Sequence, residues 1–225
     1  DVSVIDELPP GRKPIQTSCL PLSGKEKLIQ RISAAIKKGS KVYWICPLIE
    51  ESENLDLNAV METYEDLSEH FGQDKVGCLH GKLSAIKKQE QVQAFKDSKT
   101  LILVSTTVVE VGVDIPDADI MVIENAERFG LAQLHQLRGR IGRGTKESFC
   151  ILLHKDKIQD VSSQRLQVLV DSQDGFKIAE EDLIIRGPGE IMGAQQTGIV
   201  PMKYTNLVRD SQYLMETKKV AESIC

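Results

Sequence analysis

The sequence predicts an α/β domain built on a parallel sheet with helices on both faces, followed by a smaller helical part. Three observations lead there. Runs such as VYWICPLI (42–49) and TLILVST (100–106) are almost continuously apolar, as expected for strands buried on both faces. Between such runs lie segments whose apolar residues recur every three or four positions, the period of a helix. The two kinds of segment alternate along the chain, which is the pattern of strand–helix crossovers in a parallel sheet. A chain of 225 residues, 41% hydrophobic and 27% charged, can bury one such domain with appendages, or two small domains.

Residues 1–22, DVSVIDELPPGRKPIQTSCLPL, read as a tail and connector, because Pro9-Pro10 and Pro14 forbid a helix and favour an extended link. Ser23 is placed to cap a helix, with Glu26 as its capping-box partner. Leu28, Ile29, Ile32, Ala35 and Ile36 then recur at helical spacing until Gly39 stops the helix. The first strand spans 42–49 and a helix spans 56–71. KVGCLHG (75–81) is a short strand with its loop. SAIKKQEQVQAFKD (84–97) is an amphipathic helix with Ile86, Val92 and Phe95 on its apolar side. TLILVST (100–106) and IMVIENA (120–126) are strands. Leu131, Leu134 and Leu137 stripe a helix, and SFCILLH (148–154) is the last strand. The expected α/β domain is therefore 23–154. From 155 onward the alternation stops. Arg165, Leu166, Leu169 and Val170 suggest a helix, and DLIIRGPGEIMGAQQTG (182–198) reads as a helical hairpin, so 155–225 is assigned to helices.

A net charge of -5 removes any global attraction to nucleic acid, so such binding requires local patches. No apolar run approaches the roughly 20 residues of a membrane span, and no signal peptide follows Asp1. These features predict a cytoplasmic protein without membrane partners. The absence of an initial Met suggests a piece of something longer. Five scattered cysteines without a CxxC pair read as buried free thiols. His70, His135 and His154 lack metal-ligand spacing, and no metal site is expected.

QLHQLRGRIGRG (133–144) places three arginines within six residues among three glycines. On a helical period Gln133, Gln136 and Arg140 share a face distinct from the leucines, and the glycines let the backbone approach a partner closely. Arg140 and Arg143 can converge on a phosphate, whose oxygens a guanidinium fork binds in pairs. The competing reading is cations at a helix C-terminus, which gain about 0.3–1 kcal/mol from the helix dipole. A second stretch, VSTTVVEVGVDIPDA (104–118), ends a buried strand in hydroxyls and a glycine, suitable for phosphate contact. Asp114 there can accept from a ribose hydroxyl, or simply close an Asp-Ile-Pro-Asp turn.

Together these stretches resemble a known family. TTVVEVGVDIPDA and QLHQLRGRIGRG resemble motifs V and VI of superfamily 2 helicases. IENAERFGLAQLHQLRGRIGRG, CPLIEESE, IAEEDLIIRGPGEIMGAQQTG and the connector-like VIDELPPGRKPI are similar to RecG, the family of ATP-dependent DNA helicases of bacterial fork rescue and branch migration. The resemblance covers essentially the whole chain. It implies a RecA-like second motor domain and a monomer acting in the bacterial cytoplasm at the nucleoid. Partners would be branched or duplex DNA, plus the first motor domain and N-terminal DNA-binding domain of the same chain. It also implies ATP and Mg2+, both bound mainly by the first motor domain. Arg140 and Arg143 would be arginine fingers, Gln136 would order the γ-phosphate region, and Gly112 and Asp114 would border the nucleotide. Thr106 and Thr107 would contact the DNA backbone, as would His80 and Lys82 after their strand. Arg165, Arg186 and Gln196 would belong to the hairpin that couples nucleotide state to movement on duplex DNA.

Two departures matter. RecG hairpins read G-x-R-Q-[ST]-G, whereas this chain has Gly193-Ala194-Gln195-Gln196-Thr197-Gly198, without the basic residue. No G-x-x-x-x-G-K-[ST] phosphate loop or acidic magnesium box is present, so these 225 residues alone are not expected to hydrolyse ATP. Two rival readings stand beside this one: the motor of the bacterial transcription-repair coupling factor, whose partner is stalled RNA polymerase, and a non-catalytic nucleic-acid-binding module. IENAERFG and DGFKIAEEDLIIRGPGE favour the RecG resemblance over the first.

Overall fold

The computed structural model describes residues 13–47, 53–106, 118–142, 146–186 and 213. Six strands form one parallel sheet in the order β1-β6-β5-β2-β4-β3. They are β1 (Gln16–Pro21), β2 (Val42–Cys46), β3 (Val76–Leu79), β4 (Ile102–Thr106), β5 (Ile120–Ile123) and β6 (Phe149–His154). Helices α1 (Lys25–Lys37), α2 (Glu53–Phe71), α3 (Ala85–Lys96), α4 (Leu131–Arg138) and α5 (Asp160–Asp171) connect or follow them. The central strands β2, β4 and β5 are buried along their whole length, which is why their sequences run apolar without alternation. On one face Leu28, Ile32 and Ile36 of α1 and Val60 and Leu67 of α2 pack with Trp44, Val104 and Val122. On the other, α3 lies over β3 and α5 over β1. The predicted fold class is the observed one.

Three local expectations are corrected. Residues 16–21, assigned to a connector, are strand β1, an edge strand paired in parallel with β6 from Gln16↔Phe149 to Pro21↔His154. The sheet therefore begins before residue 23. Ser23 forms no capping box: a 3-10 turn, Leu22–Gly24, precedes α1, Gly24 is the N-cap, and the Ser23 amide donates instead to Asp156 Oδ1 at 3.1 Å. Ile86, placed on the apolar side of its helix, is 71% exposed, whereas Val92 and Phe95 are buried as expected. Ser84 does cap α3, its side chain accepting from the Lys87 amide. Gly39 does end α1, with φ 85°.

The chain divides into two compact units, Asp1–Gln173 and Asp174–Cys225, so α5 belongs with the sheet rather than with the helices after 154. In the second unit α6 runs Gly175–Arg186, and Asp174 caps it by accepting from the Phe176 amide at 2.9 Å. The rest of the expected hairpin lies outside the described residues.

Candidate functional site

Because all six strands are parallel, their carboxyl ends emerge along one edge, where ligands of open α/β sheets bind. After β5 the chain turns through Asn125, which is left-handed at φ 48°, into a 3-10 turn (Ala126–Arg128) and then α4. Leu131 and Leu134 bury one side of α4, leaving Gln133 and Gln136 exposed on another, as their spacing requires. The helix stops at Arg138, and Arg140 lies in the turn beyond it, its amide donating to Leu137 O at 3.0 Å. Ile141, 1% exposed, pins that turn to the core. Gly142 has φ 74°, and a Cβ there would stand 3.1 Å from Ile15 Cγ1, so both backbone and space call for glycine.

The Arg140 guanidinium is half-buried, and no carboxylate among the described residues pairs with it. It stands near Tyr43 of β2. Burial pushes the Tyr43 phenol above its ordinary value, while a hydrogen bond with Ser105 and the charge of Arg140 pull it back. A cation on a glycine-flanked turn near the sheet, without a counter-ion among the described residues, has the chemistry to meet an external anion. Gln136 is exposed about one helical turn before it. Arg143, the other expected finger, lies outside the described residues, as do Thr107, Gly112, Asp114 and Gln196.

The third arginine of the cluster has a different fate. Arg138 is 3% exposed, and its Nη1 donates to Leu169 O at 2.6 Å, Ser172 O at 2.9 Å and Thr17 Oγ1 at 3.4 Å. Its Nη2 stands 3.2 Å from His135 Nδ1. Arg138 thus caps the carbonyls that α5 leaves open at its end. The signal was present: position 138 follows 131 and 134 on the buried stripe of α4.

Thr106, expected to touch a DNA phosphate, is 3% exposed, and its hydroxyl is buried with no hydrogen-bond partner among the described residues. It is the last residue of a strand buried along its whole length, so in this conformation its hydroxyl is not exposed. His80 is half-buried just past β3, with its Nδ1 buried and without a hydrogen-bond partner among the described residues. Burial, then Lys82 and Lys88, hold the His80 imidazole below its ordinary pKa. These three cationic or titratable groups make a local positive patch suited to phosphate. Arg165 sits half-buried on α5, its Nε buried without a partner among the described residues. Arg186 is the last residue of α6.

Glu124 was not singled out in the sequence. It follows β5 on the same side as Val122 and is 9% exposed. Its carboxylate accepts from Lys25 Nζ at 3.0 Å, Trp44 Nε1 at 3.0 Å and Thr63 Oγ1 at 3.2 Å. The cluster ties α1, β2 and α2 to the turn that launches α4. Its only trace in the sequence is an acid closing an apolar run, at an inward-facing position. Among the described residues no group of three or more His, Cys, Asp or Glu is arranged to hold a metal ion, and no helix is long and apolar enough to cross a membrane.

Comparison with known proteins agrees with this geometry. The Helicase conserved C-terminal domain family matches residues 24–145, and the C-terminal part of domain 3 of ATP-dependent DNA helicase RecG matches residues 172–225. The chain is 48% identical over 225 residues to ATP-dependent DNA helicase RecG of Escherichia coli (strain K12), covering 100% of this chain and 32% of that protein. It is 50% identical over 229 residues to the RecG of Aquifex aeolicus, covering 100% of this chain and 29% of that one. The chain thus spans about a third of the length of these curated relatives. A solved structure of RecG bound to a three-way DNA junction superposes with TM-score 0.70 at 42% identity, over 93% of this chain and 27% of that one. Domain 2 of the DEAD-box helicase Mss116p, at 21% identity and TM-score 0.52 over 76% of this chain and 69% of that one, shares the RecA-like fold. A buried parallel sheet and these matches together place the chain in the helicase C-terminal domain family, as a member of the RecG type.

Proposed function

We propose that this chain is the second motor half of an ATP-dependent DNA helicase that remodels branched DNA such as stalled forks and Holliday junctions. The observation that carries the reading is Arg140: a guanidinium on a glycine-flanked turn near Tyr43 of the helicase sheet, with no carboxylate partner among the described residues. In this reading ATP and Mg2+ sit mainly on the first motor domain of the same polypeptide, and bound ATP supplies the γ-phosphoryl group that is transferred to water. This chain contributes charge. Arg140 and Arg143 close onto the phosphates, and Gln136 orients the neighbouring groups. Loss of the γ-phosphate then removes the anion that held the cleft shut.

Arg140 has the chemistry for this role, since a guanidinium fork suits a phosphate better than a lysine would. Residues 107–117, with Gly112 and Asp114, come after β4 in the sequence and would border the nucleotide. The His80, Lys82 and Lys88 patch, with Thr107, would follow DNA phosphates, making binding salt-dependent and indifferent to sequence. Residues 155–225, with Arg165, Arg186 and Gln196, would pass nucleotide state to duplex DNA. The protein would act as a monomer at the nucleoid, joined to its own first motor and N-terminal DNA-binding domains.

The test is nucleotide turnover in the full-length protein. An arginine finger contributes about 10³–10⁵ in rate, or roughly 4–7 kcal/mol of barrier. Arg140→Ala and Arg143→Ala should each abolish DNA-stimulated ATPase while a non-hydrolysed ATP analogue still binds. Turnover near the wild-type rate in either variant would refute the finger role of that residue.

A further inference from the structure

The segment carrying Arg140 is fastened at a point where two distant stretches of chain also meet. Arg138 reaches the end of α5 through Leu169 O and Ser172 O, and reaches β1 through Thr17 Oγ1. The next residue along, Gln173, turns back to the residue before β1. Its Oε1 accepts from the Ile15 amide at 3.2 Å and its Nε2 donates to Ile15 O at 3.0 Å. A side-chain amide that bonds both the N–H and the C=O of one residue supplies what a neighbouring strand would supply. It does so just ahead of β1, on an edge of the sheet where no further strand pairs among the described residues. Ile15 is 5% exposed, and its side chain lies against Gly142, in the turn that holds Arg140.

Gln173 is also the last residue of the first compact unit, so the bond is made where the chain leaves for the second. Chain arriving at Ile15, chain departing at Gln173 and the arginine turn at 138–142 are therefore joined by five hydrogen bonds and one close packing contact. Helix packing alone requires none of these polar links. Gln173 is itself solvent-exposed, and the turn could rest on Ile141 without it.

We propose that Arg138 and Gln173 are positioning residues forming a clasp that makes the placement of Arg140 depend on both the incoming segment at Ile15 and the outgoing segment at Gln173. This rests on the motor reading above and adds to it a mechanical consequence. Movement of the arginine turn onto a nucleotide and displacement of the departing chain become one event. Neither residue touches nucleotide in this role, so the clasp governs how much DNA movement each hydrolysis produces rather than whether ATP binds.

The experiment uses the full-length protein, with ATP hydrolysis and fork unwinding measured on the same branched DNA. Gln173→Ala removes both bonds to Ile15 at an exposed site, so the variant should fold. Gln173→Glu keeps the shape but sets a carboxylate oxygen against Ile15 O. Both should bind a non-hydrolysed ATP analogue within twofold of wild type and keep at least a third of the DNA-stimulated ATPase. Base pairs unwound per ATP should fall about tenfold. Gln173→Asn, a shorter amide, should recover part of that loss. Arg138→Lys keeps the charge but loses the planar fork whose two nitrogens reach the carbonyls of α5 and His135 together. It should lower kcat for ATP with KM unchanged, because Arg140 is then misplaced. Gln167→Ala, which loses only an exposed bond to Asp171 on α5, should leave the ratio unchanged. The clasp is refuted if hydrolysis and unwinding fall in equal proportion in the Gln173 variants, or if neither falls. A wild type without DNA-stimulated turnover, or an Arg140→Ala variant hydrolysing at the wild-type rate, overturns the motor reading and the clasp with it. Normal wild-type and Arg140 results with an unchanged ratio for Gln173 overturn the clasp alone.

Discussion

Glu124→Ala should be among the most destabilising single substitutions in the sheet unit. The carboxylate is 9% exposed and accepts from three groups within 3.2 Å, with the Cys46 thiol a longer fourth donor at 4.0 Å. Two of the donors are neutral and deeply placed: Trp44 is 0% exposed and Thr63 6%. Each loses its acceptor where water cannot replace it, at about 1–3 kcal/mol per stranded group. Lys25 costs less, because its side chain is 22% exposed and stands 3.8 Å from Asp66, to which it can turn. That rim pair, with Asp66 67% exposed, returns no more than about 1 kcal/mol. The total is about 3–5 kcal/mol, the range expected when one partner of a buried charge pair is removed. The assay is urea unfolding followed by fluorescence, since the chain contains a single tryptophan, and Trp44 is itself a member of the cluster. The midpoint should fall without a change in slope. Asp66→Ala serves as the control and should cost less than about 1 kcal/mol. A loss below about 1 kcal/mol for Glu124→Ala would show that the cluster is solvated or interchangeable, and the reasoning from its burial would be wrong.

Two further outcomes are expected. The His80 imidazole is held below its ordinary pKa by burial and by Lys82 and Lys88, so the folded state favours its neutral form. Its contribution to stability is therefore present above the unfolded pKa of about 6.5 and is lost as pH falls toward the lower folded value. An NMR titration should give His80 a lower midpoint than a solvated histidine, and duplex DNA should raise it if phosphates sit beside the ring. A midpoint at the ordinary value, unmoved by DNA, would exclude the patch. Gly142→Ala should destabilise the chain by about 1–3 kcal/mol, through a left-handed backbone and crowding of Ile15. Gly24→Ala, where a Cβ meets nothing within 4 Å and φ is -87°, should cost far less. Equal melting-temperature shifts for the two variants would contradict the geometry at Gly142.

The strands and the glycine turn were legible in the sequence because their causes are local. VYWIC and ILVST are apolar throughout because both faces of a central parallel strand are covered, and that leaves a mark in any window that contains them. β1 left none. In QTSCLP, Gln16 and Ser18 are exposed and Pro21 ends the run, so nothing local distinguishes a connector from an edge strand. Pairing with β6, some 130 residues further on, makes it a strand. The same division separates the arginines. The sequence by itself determined that cations would cluster around a glycine-rich turn after α4. Only the tertiary structure decided that Arg138 turns inward onto the carbonyls of α5 while Arg140 keeps no carboxylate partner among the described residues. Chain-local patterning fixes which face of a helix a residue occupies. What that face meets depends on segments that arrive from elsewhere in the chain, here Thr17, Leu169 and Ser172, and no local window contains them.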